Sequence, residues 1–140
     1  MRFMVMVKAS PESEAGKMPE RQMLEDMGRF NQALIDAGML LAADGLHPTS
    51  KGARVRFSGK KRTVIDGPFP ETKELVAGFW ILKAKSKEEV IEWIKRCPNP
   101  MESDSDIEIR QIYEPEEFAG DLTAEIEARR ETVRLQSAKE

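Results

Sequence analysis

Two short stretches of this chain are apolar at every position, and they limit its fold more than any other feature. Residues 3–7 are Phe-Met-Val-Met-Val and residues 76–82 are Val-Ala-Gly-Phe-Trp-Ile-Leu. Both have the length of a strand and fall well short of the roughly 20 apolar residues that span a membrane. Successive side chains of a strand point to opposite faces. We therefore predict two central strands that need apolar cover on both sides.

The segments around these runs follow helix and strand patterns in a regular order. Met23, Met27, Phe30 and Leu34 recur at helical spacing. Ser86, followed three residues later by Glu89, forms the capping box of a second helix. Residues 9–18 are polar and rich in helix breakers, so we predict a loop there. The predicted strands are 3–7, 39–43, 76–82 and 107–113, the predicted helices are 19–37, 86–97 and 121–136, and a basic hairpin lies at 53–65.

Without the hairpin, the order β-α-β-β-α-β predicts an α+β protein of ferredoxin-like βαββαβ topology. Its two helices cover only one face of a four-stranded sheet. Each large apolar side chain left in water on the other face forgoes roughly 1.5–3 kcal/mol of burial. We therefore predict a homodimer that pairs through the sheet face. Residues 1–118 form the predicted domain, and residues 119–140 form a C-terminal helical extension.

Composition excludes several classes of partner. The chain has 22 basic and 25 acidic residues, so its net charge of −3 predicts neither a nucleic acid nor a membrane partner. The basic hairpin is interpreted as an edge kept soluble by its charge. The single cysteine, Cys97, rules out an internal disulfide, and no secretory leader is recognised, which together favour the cytoplasm.

One motif identifies a family. Residues 66–74, Asp-Gly-Pro-Phe-Pro-Glu-Thr-Lys-Glu, followed by Gly78-Phe79-Trp80, closely resemble the signature of the YCII-related proteins of the DGPF subgroup. The resemblance implies a dimeric α/β-barrel fold and little about chemistry. Related proteins carry a His–Asp pair in a cleft, and at least one acts as a dehydrochlorinase on a muconate-type acid. Some genes of the subgroup lie near those of sigma factors.

The chain departs from that pattern at the dyad. Met27 stands where the cleft histidine is expected, and Asp36 is the candidate for the acidic partner. Arg110-Gln111 replaces the usual Arg-Pro near the last strand. The resemblance therefore does not carry the dyad mechanism to this chain.

The best candidate site is the segment 66–74, called the signature loop below. Asp66 is either a general base or a residue that bonds the loop's own backbone, and His47, the only histidine, is a candidate proton carrier. Ligand contacts are expected from Asp36, Phe69 as an apolar wall, Thr72 as a donor and Lys73 as a counter-ion. No metal-site spacing and no cofactor motif is found.

These features favour a protein that binds a small acidic or apolar molecule in a cleft near the signature loop, including a cofactor-free enzyme. The alternative is a regulatory or interaction module linked to sigma-factor-dependent transcription, or a domain with no catalytic role. The sequence does not decide whether the protein is an enzyme.

Overall fold

The computed structural model describes residues 1–118 and 120–139, and it is a mixed α+β structure built on antiparallel sheets. Ala119, the predicted first residue of the extension, lies outside the described residues. The strands are β1 (Arg2–Lys8), β2 (Leu40–Gly45), β3 (Ala53–Ser58), β4 (Lys61–Asp66), β5 (Val76–Lys83) and β6 (Ile107–Gln111), and the helices are α1 (Pro11–Glu14), α2 (Arg21–Asp36), α3 (Lys87–Ile94) and α4 (Gly120–Ser137).

The main sheet has four strands in the order β2-β5-β1-β6, and every neighbouring pair is antiparallel. The two apolar runs therefore lie in its centre, as the sequence predicts. Val5 lies opposite both Trp80 and Ile109, which fixes the register of three strands. Within the described residues the sheet stays open, and one chain forms no closed barrel.

The core lies between the sheet and the helices α2 and α3. Phe3, Val5 and Leu82 point to this side and are 0–1% exposed, packed with Leu34 of α2 and Val90 of α3. The buried Trp80 meets the ring of Phe30 edge to face, and its indole N–H donates to Asn31 Oδ1 at 2.8 Å. This hydrogen bond satisfies the indole nitrogen, which is the one polar atom of the buried Trp80 side chain.

The ends of the helices follow their capping residues. α2 is followed by Gly38 at a φ of +73°, as a glycine at the C-terminal cap permits. α3 begins at Ser86, whose hydroxyl accepts from the Glu89 N–H. The predicted loop at 9–18 is wrong in part, because Ser10 caps the four-residue helix α1 in a reciprocal bond with Ser13.

The other face of the sheet lies away from the core that packs against α2 and α3. Met4 and Met6 of β1 and Phe79 and Ile81 of β5 form two cross-strand rows there, and all four are partly exposed. At one corner Arg2 bonds Glu114, which also bonds Arg130 of α4. This side, opposite α2 and α3, is called the open face below.

The basic hairpin β3–β4 forms a separate two-stranded sheet whose residues are all exposed. α4 packs mainly against the 3-10 turn at residues 115–117. No helix among the described residues is both long enough and apolar enough to span a membrane.

Candidate functional site

Several loops meet at one end of the main sheet. β1 ends here, and β5 begins here after the signature loop. The Ala9 N–H donates to the Leu75 carbonyl at 2.9 Å, which joins the segment before α1 to the end of the signature loop. The Lys17 ammonium lies 2.6 Å from the Glu102 carboxylate. This ion pair ties residues 101–106, called the acidic loop below, to the same end of the sheet. This end is called the loop end below.

The signature loop is anchored by side chains that lie outside it. Glu14 of α1 accepts from both the backbone N–H and the hydroxyl of Thr49, at 3.1 and 2.5 Å. The Thr49 hydroxyl oxygen in turn accepts from the Phe69 N–H at 3.0 Å. A charged acceptor makes such a chain stronger than neutral bonds alone. One carboxylate therefore holds together α1, the turn at 49–51 and the signature loop.

Gly67 packs against the same turn so closely that no other residue fits. A Cβ built on Gly67 would lie 1.7 Å from the Thr49 carbonyl oxygen. The Gly67 N–H donates to the Gly52 carbonyl at 3.0 Å, and the Gly67–Pro68 bond is cis. The glycine of the motif is thus explained by close approach of two backbones.

A cation and an aromatic ring lie side by side on this anchored loop. The Arg54 guanidinium stands over the Phe69 ring, 3.8 Å from its centroid. The same guanidinium lies 3.5 Å from the Glu71 carboxylate. Phe69 is partly buried, whereas Arg54 and Glu71 are exposed. The Phe69 ring therefore offers an apolar surface next to the positive charge of Arg54, which Glu71 neutralises only in part.

Four of the candidate residues lie together on this loop. Asp66 ends β4, pairs across the hairpin with Ala53 and is exposed. Thr72 and Lys73 belong to a 3-10 turn, with Thr72 partly buried and Lys73 exposed. The roles predicted for Asp66, Phe69, Thr72 and Lys73 stay predictions.

The other two candidate residues differ in position. His47 is exposed and lies at the loop end, since Leu46 before it donates to the Ala77 carbonyl at 2.8 Å. Asp36 ends α2 at the opposite end of the sheet, where it accepts from Gln32 at 2.9 Å. The fold therefore groups five of the six candidates and separates Asp36 from them.

Two residues of this group, Glu14 and Thr49, were not singled out from the sequence, and Arg54 was considered only as part of the basic hairpin. The Ser10-Pro11 start of a short helix was the available signal for the position of Glu14. The contacts of Thr49 and Arg54 join segments 20 and 15 residues apart, and no local pattern marks them.

A groove of about 470 Å³ lies away from the signature loop, between α3 and β6. Its lining is mostly apolar and includes Ile94, Cys97, Pro98, Ile107 and Ile109. Burial raises the pKa of the Cys97 thiol from 9.0 to about 11, so the thiol stays protonated near neutral pH. The described residues bring together no group of three His, Cys, Asp or Glu side chains suited to a metal ion.

Comparisons with known proteins agree with the motif. The YCII-related domain family matches residues 1–116. An uncharacterized protein of Rhizobium meliloti (strain 1021) is 30% identical over 104 residues, which cover 73% of this chain and 84% of that protein. Among solved structures the chain is similar to 5-chloro-2-hydroxyhydroquinone dehydrochlorinase from Burkholderia phenoliruptrix, in complex with 2,5-dihydroxybenzoquinone. That likeness has 15% identity and a TM-score of 0.44, and it covers 81% of this chain and 95% of the other.

Proposed function

This chain belongs to the YCII-related domain family, and we propose that it forms a homodimer that binds a small acidic molecule with an apolar body beside the signature loop. We assign it to the DGPF subgroup on the Asp66-Gly67-Pro68-Phe69 motif. The proposed architecture is a ferredoxin-like domain at residues 1–118, two copies of which form an α/β barrel, with residues 119–140 as an appendage.

The homodimer is supported by the open face. Met4, Met6, Phe79 and Ile81 lie on the side of the sheet opposite α2 and α3. These side chains are already partly buried, so pairing gains part of the roughly 1.5–3 kcal/mol that full burial of each is worth. A second copy offers the same apolar rows, and a two-fold axis makes them complementary.

The ligand is supported by one observation above all: Arg54 stands over Phe69 on a loop that is already fixed in place. A preorganised loop loses little conformational freedom on binding. A carboxylate of the ligand would replace Glu71 as the partner of Arg54, while its apolar body packs beside the stacked Arg54 and Phe69 side chains. In this proposal Lys73 adds positive charge at the loop end.

Proton transfer at this site is the part of the proposal that concerns catalysis. His47 and Asp66 are the two groups at the loop end to which we assign it, since an imidazole changes charge near neutral pH and a carboxylate accepts a proton. Asp36 is left out, because it lies at the other end of the sheet.

The binding proposal is tested with a panel of small carboxylic acids and their amides, using isothermal titration. We expect some acids to bind, their amides to bind more weakly, and Arg54→Gln to lose at least about tenfold in affinity, or 1.4 kcal/mol. Arg62→Gln is the matched control, because its guanidinium also stacks on a ring, 4.5 Å from Phe57, but this ring does not belong to the signature loop.

Two results would overturn the binding proposal. One is a panel in which no acid binds. The other is an equal loss of affinity in Arg54→Gln and Arg62→Gln, because this would assign the loss to general charge and not to the signature loop.

The fixed loop is tested with a pair of glycine substitutions. Gly67→Ala must push the loop away from Thr49, so we expect it to destabilise the fold by about 1–3 kcal/mol and to weaken ligand binding. Gly28→Ala meets nothing within 4 Å in α2 and should stabilise the fold by about 0.5–1 kcal/mol. Urea unfolding measures both, and a neutral Gly67→Ala would show that the loop is free to move.

A further inference from the structure

The hairpin β3–β4 leaves an apolar surface in solvent. Phe57 is 71% exposed, Val64 66% and Val55 51%. In the described part of the chain, β3 and β4 pair only with each other. An isolated two-stranded hairpin is marginally stable in water. These exposed apolar side chains therefore favour a hairpin, called the arm below, that packs against another protein surface.

The free edge of β3 carries the apolar residues of that arm. Gly67 donates to Gly52, and the strands turn through the two residues 59 and 60. Hydrogen-bonded pairs alternate along an antiparallel ladder, so the even-numbered residues of β3 bond β4. The backbone groups of Ala53, Val55 and Phe57 consequently point to the free edge.

A second free edge occurs in the main sheet at β6. Ile112 donates to Arg2, and Lys8 donates to Asp106, at 2.9 and 3.2 Å. These bonds place the even-numbered residues of β6 against β1. The backbone groups of Ile107 and Ile109 therefore face outward, on the side where β6 pairs with no other strand of residues 1–118 and 120–139.

The groove between α3 and β6 runs beside this edge. Ile107 and Ile109 form one wall, and Ile91 and Ile94 of α3 form the other. Cys97 and Pro98 close it near the acidic loop. A strand added to β6 would direct every second side chain into this apolar groove.

We propose that β3 of a second copy adds to the edge of β6 as an antiparallel strand, with Val55 opposite Ile107. This register places Phe57 opposite Ser105, over the end of the groove that Cys97 lines. On the other face it places Arg54 opposite Glu108 and Arg56 opposite Asp106. A shift of two residues toward Gln111 would instead place Arg54 opposite Arg110, which is unfavourable.

Charge complementarity identifies the occupant as another copy of this chain. Residues 53–66 contain five Lys or Arg and one Asp, whereas residues 102–108 contain four Asp or Glu and no base. Glu102 and Glu108 already pair with Lys17 and Lys8, so Asp104 and Asp106 supply most of the negative charge for this contact. The chain's own hairpin follows β2, which lies at the opposite edge of the sheet from β6. The contact is made at the edge of β6, beside the open face, and it shares Arg54 with the proposed ligand site.

The contact is tested by cross-linking to the single native cysteine. Phe57→Cys introduces a second thiol at an exposed position, and copper-catalysed oxidation at pH 9 followed by non-reducing electrophoresis reports the product. We expect a disulfide between positions 57 and 97 of two copies, identified by peptide mass, and its loss in Phe57→Cys/Cys97→Ser. Leu24→Cys on α2, which replaces a residue of 56% exposure, is the control and should give no link to Cys97.

A charge exchange provides an independent test. Arg56→Glu and Asp106→Arg should each weaken the 57–97 cross-link several-fold, and the double variant should restore it. The proposal is overturned if the link forms within one chain, if only a 57–57 link forms, or if Leu24→Cys links equally well. It is also overturned if the single charge variants cross-link like their parent, which would favour another partner for the arm.

Discussion

The two faces of the central strands have similar chemistry and different surroundings. On the helix side, Val5 and Leu82 are fully buried. On the open face, their sequence neighbours Met6 and Ile81 are equally apolar and remain partly exposed. The difference shows that an apolar position states only that a side chain needs cover. Whether a helix of the same chain or a second molecule supplies that cover depends on how many helices the chain has.

The largest effect should come from removing a side chain of the covered face. Leu82→Ala leaves a cavity in a packed core, so we expect the free energy of unfolding to fall by about 2–5 kcal/mol. Ile81→Ala, the adjacent residue on the open face, should cost less than about 1 kcal/mol in dilute protein. Urea unfolding of both variants would contradict the account if the two losses were equal.

The next effect concerns the thiol at the edge of the covered face. The pKa of Cys97 is raised by burial to about 11, against 9.0 ordinarily, which lowers its thiolate fraction about 100-fold near pH 8. Alkylation by iodoacetamide should be slower than in the urea-unfolded chain by that factor. Because the unfolded chain releases this proton first, stability should also fall as pH rises from 9 to 11. Equal alkylation rates would contradict the burial.

A charge on the open face should separate the copies. Met6→Glu places a carboxylate between two apolar surfaces, so we expect the dissociation constant of the dimer to rise at least about tenfold. Sedimentation velocity measures it. Leu24→Glu, on the exposed side of α2, is the matched control and should leave association unchanged. A variant that associates as tightly as the parent would remove the open face from the interface.

The smallest effect concerns the corner of the open face where Glu114 bonds both Arg2 and Arg130. Arg2 lowers the pKa of Glu114 by a hydrogen bond, and Arg130 adds to this. The stabilisation is therefore complete above the unfolded-state pKa and is lost as pH falls through the lowered folded-state value. Glu114→Gln should cost about 0.5–1 kcal/mol at pH 7 and nothing in strong acid. Glu116→Gln, at an exposed neighbour, should be neutral throughout.

The sequence predicts the mixed α+β structure and its central strands because their apolar pattern is local. The helical spacing from Met23 to Leu34 and the Ser86 cap likewise depend on residues three or four positions apart. Such local signals are why α2 and α3 lie where expected. The short helix α1 was missed, since four residues have too few positions to show a period.

The candidate site is predictable only in part. The signature loop stands out by its motif, but its anchor is a chain of bonds from Glu14 through Thr49 to Phe69. Such contacts between distant segments depend on the finished fold. For the same reason the sequence grouped Asp36 with residues that lie at the other end of the sheet.

The most direct test of the proposed pairing of the open face is methionine oxidation by hydrogen peroxide, followed by peptide mass spectrometry. Met18, which is 77% exposed, provides an internal reference for full reactivity. We predict that Met4 and Met6 oxidise much more slowly than Met18 in concentrated protein and become faster on dilution, while the rate of Met18 stays the same. Rates for Met4 and Met6 that do not change with protein concentration, in a species of 15.9 kDa, would contradict the account.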